Sequence, residues 1–326
     1  MFNINFRKIS QLDRTGPFSK KLAEVLFWVT PMIWSSNYII ARAASGVIPP
    51  HILAFGRWAI ALILMIPLIW SGRGALRAAV RTEWHQMLVL GALGTWICGA
   101  FVYLGGQSTS AGNIGLIYAA APIGIAIVSS FLNKEVLSNR QRAAMICALV
   151  GVLFIISKGN FMNLLGVKFV SGDLWILAAT AAWIAYTVLQ QRWPTKLRPI
   201  QRLFCTTVGG LLFLFPFAAA EMSFTSLKWY SGEALFLILL AGALPGLMGY
   251  VAYSFMVEQL GATRSGLVLY LSPVYATFIA WWILSEQPHW FHLVGALLVL
   301  PSIYLASSAK RSDGQFRINI REEKGT

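Results

Sequence analysis

The sequence predicts an all-α integral membrane protein, with ten transmembrane helices arranged as two inverted-topology repeats of five and both termini cytoplasmic. Three observations predict this. First, of 326 residues 57% are hydrophobic and only 12% charged, and the mean hydropathy is +0.65. A soluble domain carries about 25% charged residues, so this chain has too little polar surface to meet water on all sides. Second, ten apolar runs approach the roughly 20 residues that a helix needs to cross a bilayer. Third, the chain repeats itself at a fixed offset, and an odd number of spans per copy turns the second copy over.

The repeat is read directly. Slid forward by 151 positions, Gly91 to Glu135 lands on Gly242 to Glu286. Gly91, Ala92 and Leu93 then meet Gly242, Ala243 and Leu244, and Ala111, Gly115 and Leu116 meet Ala262, Gly266 and Leu267. Pro122 meets Pro273, and Glu135 meets Glu286. An offset of 149 aligns Trp34 with Trp183, Phe55 with Phe204 and Pro67 with Pro216; one of 144 aligns Gly151 with Gly295. Repetition of this kind means two copies of one architecture. The chain then divides into a cytoplasmic N-terminal segment (1–21), a first five-helix repeat (22–158), an outside connection (159–172), a second five-helix repeat (173–307) and a cytoplasmic tail (308–326).

The first apolar run, 22–43, follows a polar segment with five basic residues. A secretory leader has an apolar stretch of about 7–15 residues, and this run is longer, so it is read as the first span. The others fall at 52–70, 86–106, 111–132, 141–158, 173–191, 203–220, 234–255, 262–284 and 290–307. Strands of a membrane barrel would be shorter and would alternate in polarity. With the N-terminus inside, 21 of the 26 Lys and Arg fall in inside segments and 4 in outside ones, and Arg57 lies within a span. Such an excess of Lys and Arg in cytoplasmic loops sets orientation. It also accounts for the net charge of +14 without nucleic-acid binding.

Other function classes lack their signatures. Cys98, Cys147 and Cys205 lie far apart in apolar runs, with no metal-ligand spacing and no need of a disulfide. His51, His85, His289 and His292 fall near span ends, and His289 with His292 lacks a third ligand for a metal. No phosphate-binding loop of the Walker type occurs. No enzyme activity, cofactor or metal is expected.

Polar and aromatic residues at membrane depth are the candidates for a substrate pathway. The first span is centred near Trp34, within Trp34-Ser35-Ser36-Asn37-Tyr38, and the sixth near Trp183, followed by Tyr186. The third has Trp96 at its middle with Tyr103 further along, and the eighth centres on Pro245 with Tyr250 beyond it. Trp and Tyr usually sit at membrane interfaces. Trp34, Trp96 and Trp183 are central, which leaves cavity lining and plain packing both open. An amide such as Asn37 needs a partner inside a membrane and so faces another helix or a cavity. Arg57 lies six residues past His51, about 9 Å inward at the helical rise of 1.5 Å per residue. An intramembrane arginine is a functional candidate, here for an anionic substrate group, with snorkelling to the surface as the alternative. Pro122, Pro273 and Pro245 fall midspan, where a proline frees a carbonyl, and are candidate hinges. Glu135 and Glu286 end twinned helices on opposite sides and are candidate gates. No Asp or Glu falls at the centre of a span, so the simplest proton-coupling device is missing.

These residues resemble the drug/metabolite transporter superfamily, specifically its EamA-like ten-helix branch. The resemblance is carried by Trp34-Ser35-Ser36-Asn37-Tyr38, by Arg57-Trp58-Ala59, and by two similar series: Ala111-Gly112, Ala121-Pro122, Glu135 and Gly151-Val152, then Ala262-Thr263, Ser272-Pro273, Glu286 and Gly295. It covers about residues 22–307. It implies a multi-pass carrier of the cytoplasmic (inner) membrane, often an exporter of small metabolites such as amino acids. Smaller four-helix relatives couple protons through a glutamate deep in the first span, where this chain has Trp34 and Asn37.

The expected function is a secondary transporter that moves a small organic metabolite, an amino acid or related compound, outward by alternating access. Trp34, Asn37, Tyr38, Arg57, Trp96, Tyr103, Trp183, Tyr186 and Tyr250 would line its substrate site. The partners are then a small-molecule substrate and the lipid bilayer, with a proton or ion gradient and a homodimer left open. The alternative is a non-transporting membrane scaffold or an intramembrane enzyme.

Overall fold

A computed structural model of the chain describes residues 17–308 except 45, 70–72, 110, 136 and 285–286. The described residues form helices and no strand. The first half holds α1 (Pro17–Ala44), α2 (Pro50–Ile69), α3 (Arg73–Gly91), a π-helical turn (Ala92–Ile97), α4 (Cys98–Gly106), α5 (Ala111–Tyr118), α6 (Ala121–Leu132) and α7 (Asn139–Ile156). The second holds α8 (Ser171–Arg192), α9 (Pro199–Phe224), α10 (Gly232–Ala241), a second π-helical stretch (Gly242–Gly249), α11 (Tyr250–Leu260), α12 (Ala262–Gly266), a 3₁₀ turn (Leu267–Leu271), α13 (Ser272–Leu284) and α14 (Trp290–Ser308). By length and apolarity, seven helical runs among the described residues suffice to cross a membrane, from Pro50–Ile69 to Gly232–Leu260, and Trp290–Leu305 is a shorter apolar helix.

The helix ends follow local chemistry. Pro17, Pro50 and Pro199 open α1, α2 and α9 at the first helical position, where a missing N–H costs nothing. Ser138 caps α7 reciprocally with Gln141, their backbone N–H groups donating to the Gln141 and Ser138 side chains at 3.0 and 3.2 Å. Arg202 closes the end of α8, donating to the carbonyls of Gln190 and Trp193 at 2.7 Å each. The third helical run begins at Arg73, well before its apolar run at 86, because Arg, Ala, Glu and Gln in this stretch are good helix formers.

The two halves interleave rather than sit side by side. α2 and α3 pack on α9, α4 and α6 pack on α8, α1 packs on α11 and α13, and α7 packs on α14. Helices approach closely in lipid through small residues. A Cβ added at Gly151 would lie 2.9 Å from Leu298 Cβ and 3.0 Å from the Gly295 carbonyl oxygen, and one added at Gly295 would meet Ile155 and the Gly151 carbonyl. Thus α7 and α14, the last helix of each half, touch backbone to backbone. Large apolar side chains such as Phe215, Phe236, Leu239, Leu293 and Leu297 point outward. That is the expected surface of a protein whose outer solvent is lipid.

Candidate functional site

The irregular turns recur with the sequence repeat. Residues 92–97 moved forward by 151 become 243–248, inside the second π-helical stretch at Gly242–Gly249. The break between α5 and α6 likewise falls on the 3₁₀ turn before α13. π-helical turns leave carbonyls without their usual partner and cluster at functional sites. Here the Tyr250 hydroxyl, just beyond the second π stretch, donates to the Gly94 carbonyl in the first at 3.0 Å. Pro122 and Pro273 sit at the second position of α6 and α13, so each starts a new helix segment instead of kinking a continuous one. Tyr118 and Leu269 lie four residues before them, and the Leu269 carbonyl accepts from the Ser272 backbone N–H in place of the N–H that Pro273 lacks.

These breaks surround one central cavity of about 120 Å³. Both halves line it: Trp34, Asn37, Arg57, Cys98 and Tyr103 with Tyr118 from the first, Trp183, Pro245, Tyr250, Leu269 and Ser272 from the second. A polar relay crosses it. Arg57 Nη1 donates to the Tyr103 hydroxyl at 3.1 Å, and that hydroxyl donates to Asn37 Oδ1 at 2.9 Å. The Arg57 guanidinium also lies 4.9 Å from the Trp58 ring centroid and 5.8 Å from that of Tyr250. Arg57 is 5% exposed, so it does not snorkel to the surface. Its Nε finds no acceptor, and neither does the ring nitrogen of Trp34, which faces Gly249.

An aromatic box completes the wall. Trp34 meets Tyr253 at 5.1 Å, and Trp183 meets Tyr253, Tyr186 and Tyr250 at 4.9, 5.4 and 5.5 Å between ring centroids. Tyr186 backs the box against Gly94 without lining the cavity. Trp96 lies away from it, stacked between helices on Phe213 and Phe217 of α9. The side chain of Tyr38 lies outside the described residues, as does Glu286. Cys98, Gly99, Val102 and Leu269 line the cavity and were not among the expected lining residues. Gly99 lies one turn before Tyr103 on its own face, so helical spacing could have named it, whereas Val102 is the chain neighbour of Tyr103 and lies about 100° round the helix. The π turn that sets Cys98 beside them has no such signal.

Glu135 joins the halves at one end. It accepts from Gln191 Nε2 at 2.7 Å and from the Thr263 hydroxyl, while Gln191 Oε1 accepts from the Ala262 backbone N–H. Gly261, which ends α11 at φ +86°, leaves the room: a Cβ there would sit 2.7 Å from Glu135 Oε1.

Known proteins are similar to this chain in sequence and fold. The sequence pattern of the EamA-like transporter family matches residues 21–157 and 170–308, one match per half. A protein of Archaeoglobus fulgidus named "Uncharacterized transporter" is 24% identical over 87% of this chain and 96% of its own length. YdfC of Bacillus subtilis, also named as an uncharacterized transporter, is 27% identical over 87% of this chain and 91% of its own. A Chlamydia muridarum protein named as an S-adenosylmethionine/S-adenosylhomocysteine transporter is 21% identical over 83% of this chain and 86% of its own. One crystal structure superposes with a TM-score of 0.71 over 87% of this chain and 96% of its own, at 18% identity, which speaks to the fold alone. With the family pattern matched once in each interleaved half, the chain belongs to the EamA-like transporter family.

Proposed function

We propose that the chain is a secondary carrier that exports a small organic metabolite, an amino acid or related compound, across the cytoplasmic membrane by alternating access. The observation that carries this reading is the central cavity, walled by matching elements of two repeated halves. Two inverted halves can exchange conformations around a fixed midplane site, which is how secondary transporters open to each side in turn. The helical runs 17–44, 262–284 and 290–308 support three crossings beyond the seven apolar runs, and in this reading the ten crossings return both termini to the cytoplasm. Pro122, Pro245 and Pro273 would serve as hinges and Glu135 as one gate. The cargo named for the Chlamydia protein does not transfer readily. S-adenosylmethionine and S-adenosylhomocysteine each carry a purine nucleoside, whereas this cavity is small.

Purified protein in proteoliposomes tests the reading, with labelled amino acids and related metabolites offered with and without a pH gradient. Saturable flux that Asn37→Leu abolishes is the expected result. Absence of flux for every compound, with folded protein present, would favour a non-transporting scaffold or intramembrane enzyme.

A further inference from the structure

The cavity holds a cation that the protein leaves short of acceptors. A guanidinium carries five N–H donors. Arg57 is 5% exposed, its Nη1 is met by a neutral hydroxyl, and its Nε has no partner. Among the described residues that line the cavity there is no Asp or Glu. A buried charge without a counter-charge is strongly unfavourable, and the ring faces of Trp58 and Tyr250 offset only part of that cost. The relay makes the imbalance larger. Tyr103 turns its hydroxyl proton toward Asn37 Oδ1, which leaves the Asn37 Nδ2 group as a further donor. What the site lacks is a planar, singly charged acceptor.

We infer that Arg57 seats a carboxylate and that the substrate is a compact monocarboxylate whose apolar body lies against Trp34, Trp183 and Tyr250. This inference rests on the carrier reading and names the substrate class of the same cavity. A carboxylate matches the guanidinium fork with two parallel hydrogen bonds, and its single charge cancels that of Arg57. A phosphate carries about −1.5 to −2 near neutral pH and would leave negative charge buried. An amine or organic cation would meet Arg57 with like charge and no carboxylate to hold it. Size narrows the class further. The cavity of about 120 Å³ is comparable with an engineered cavity of about 150 Å³ that holds benzene, so the body is one ring or a short branched chain.

Calorimetric titration of the purified full-length protein tests this with four probes: benzoate, its neutral isostere benzamide, benzylamine and inorganic phosphate. Benzoate should bind at least about tenfold tighter than the other three. Arg57→Gln should lose at least about tenfold for benzoate and little for benzamide, and Arg57→Lys should recover part of the loss because it keeps the charge without the fork. Arg57→Gln should also melt no lower than the parent in detergent, since it removes a buried unpaired charge; this separates lost binding from lost folding. Equal binding of benzamide, preference for benzylamine or phosphate, undiminished benzoate binding by Arg57→Gln, or no binding of benzoate at all would each overturn the inference. Saturable flux of a cation through the same cavity would overturn it while leaving the carrier reading intact. Failure of all flux would strike the carrier reading instead.

Discussion

Trp34 and Trp183 occupy the same place in the two halves and touch each other, edge to face, with ring centroids 5.2 Å apart at 82°. The pair therefore lies where the two halves meet, at the wall of the cavity. Edge-to-face aromatic pairs contribute about 0.5–1.5 kcal/mol beyond area burial. A double-mutant cycle with Trp34→Leu and Trp183→Leu, read by unfolding in detergent, should give a coupling of about 1 kcal/mol. Additive losses would mean the two rings are neighbours without mutual stabilisation.

The halves are also tied at the start of α2. Glu221 of α9 accepts from the backbone N–H groups of His51 and Ile52 at 2.8 and 3.0 Å, and its other oxygen lies 2.6 Å from His51 Nδ1. It thus caps a helix of the opposite half. Glu221→Ala should destabilise the protein by about 1–2 kcal/mol, as loss of a cap does, with Glu221→Gln intermediate. Thermal melting of both variants checks the order Ala below Gln below parent.

Contact between α7 and α14 depends on the Gly151–Gly295 approach. Gly151→Ala should cost about 1–3 kcal/mol because the opposing carbonyl must move, and Gly151→Leu should prevent a monodisperse fold. Size-exclusion profiles in detergent distinguish the two. A well-folded Gly151→Leu protein would show that the two helices can separate without loss.

Trp96 and Tyr103 share one helical run but play different parts. Trp96→Ala removes a stacked ring from the α9 interface and should cost about 3–5 kcal/mol of stability if the site does not collapse, with the substrate KM of the surviving protein near that of the parent. Tyr103→Phe should leave the fold intact and raise KM several-fold, since it breaks the relay from Arg57 to Asn37. Transport kinetics in proteoliposomes, paired with melting curves, separate packing from binding.

The end of the molecule near Gly261 supplies a further check. Glu135→Gln keeps the shape of the side chain but weakens its hydrogen bond to Thr263. Hydrogen exchange at 261–263 should speed up in this variant while α7 and α14 stay protected. Unchanged exchange would show that Glu135 does not hold the two halves together there.

Much of the architecture was legible because lipid imposes simple rules. Apolar runs follow from the need to satisfy every backbone polar group inside helices, and the offset of 151 reads as one architecture used twice. The site was legible in part. Asn37 and Arg57 stood out because polar groups in hydrocarbon need a reason, and both line the cavity. Trp96 carried the same signal as Trp183, yet it packs between helices, because central depth says nothing about which face of a helix a ring occupies. Pro122 and Pro273 read as midspan kinks, whereas each opens a fresh helix segment after a break. The sequence marks a proline but not where the preceding turn ends, and the π turns at Ala92–Ile97 and Gly242–Gly249 have no period to betray them.

Arg57, if it seats a carboxylate as proposed, gives the transport cycle an electrical polarity. An empty cavity carries one positive charge, and one filled by a monocarboxylate that bears no ammonium group carries none. Opening the cavity to one side and then the other shifts that charge through the membrane field, even though the helix itself moves little. A unit charge crossing 100 mV changes energy by about 2.3 kcal/mol. A voltage negative inside therefore holds the empty carrier facing the cytoplasm and leaves the loaded carrier indifferent. Each cycle would carry one negative charge outward, so the resting voltage of the cell would itself drive export without a coupled proton.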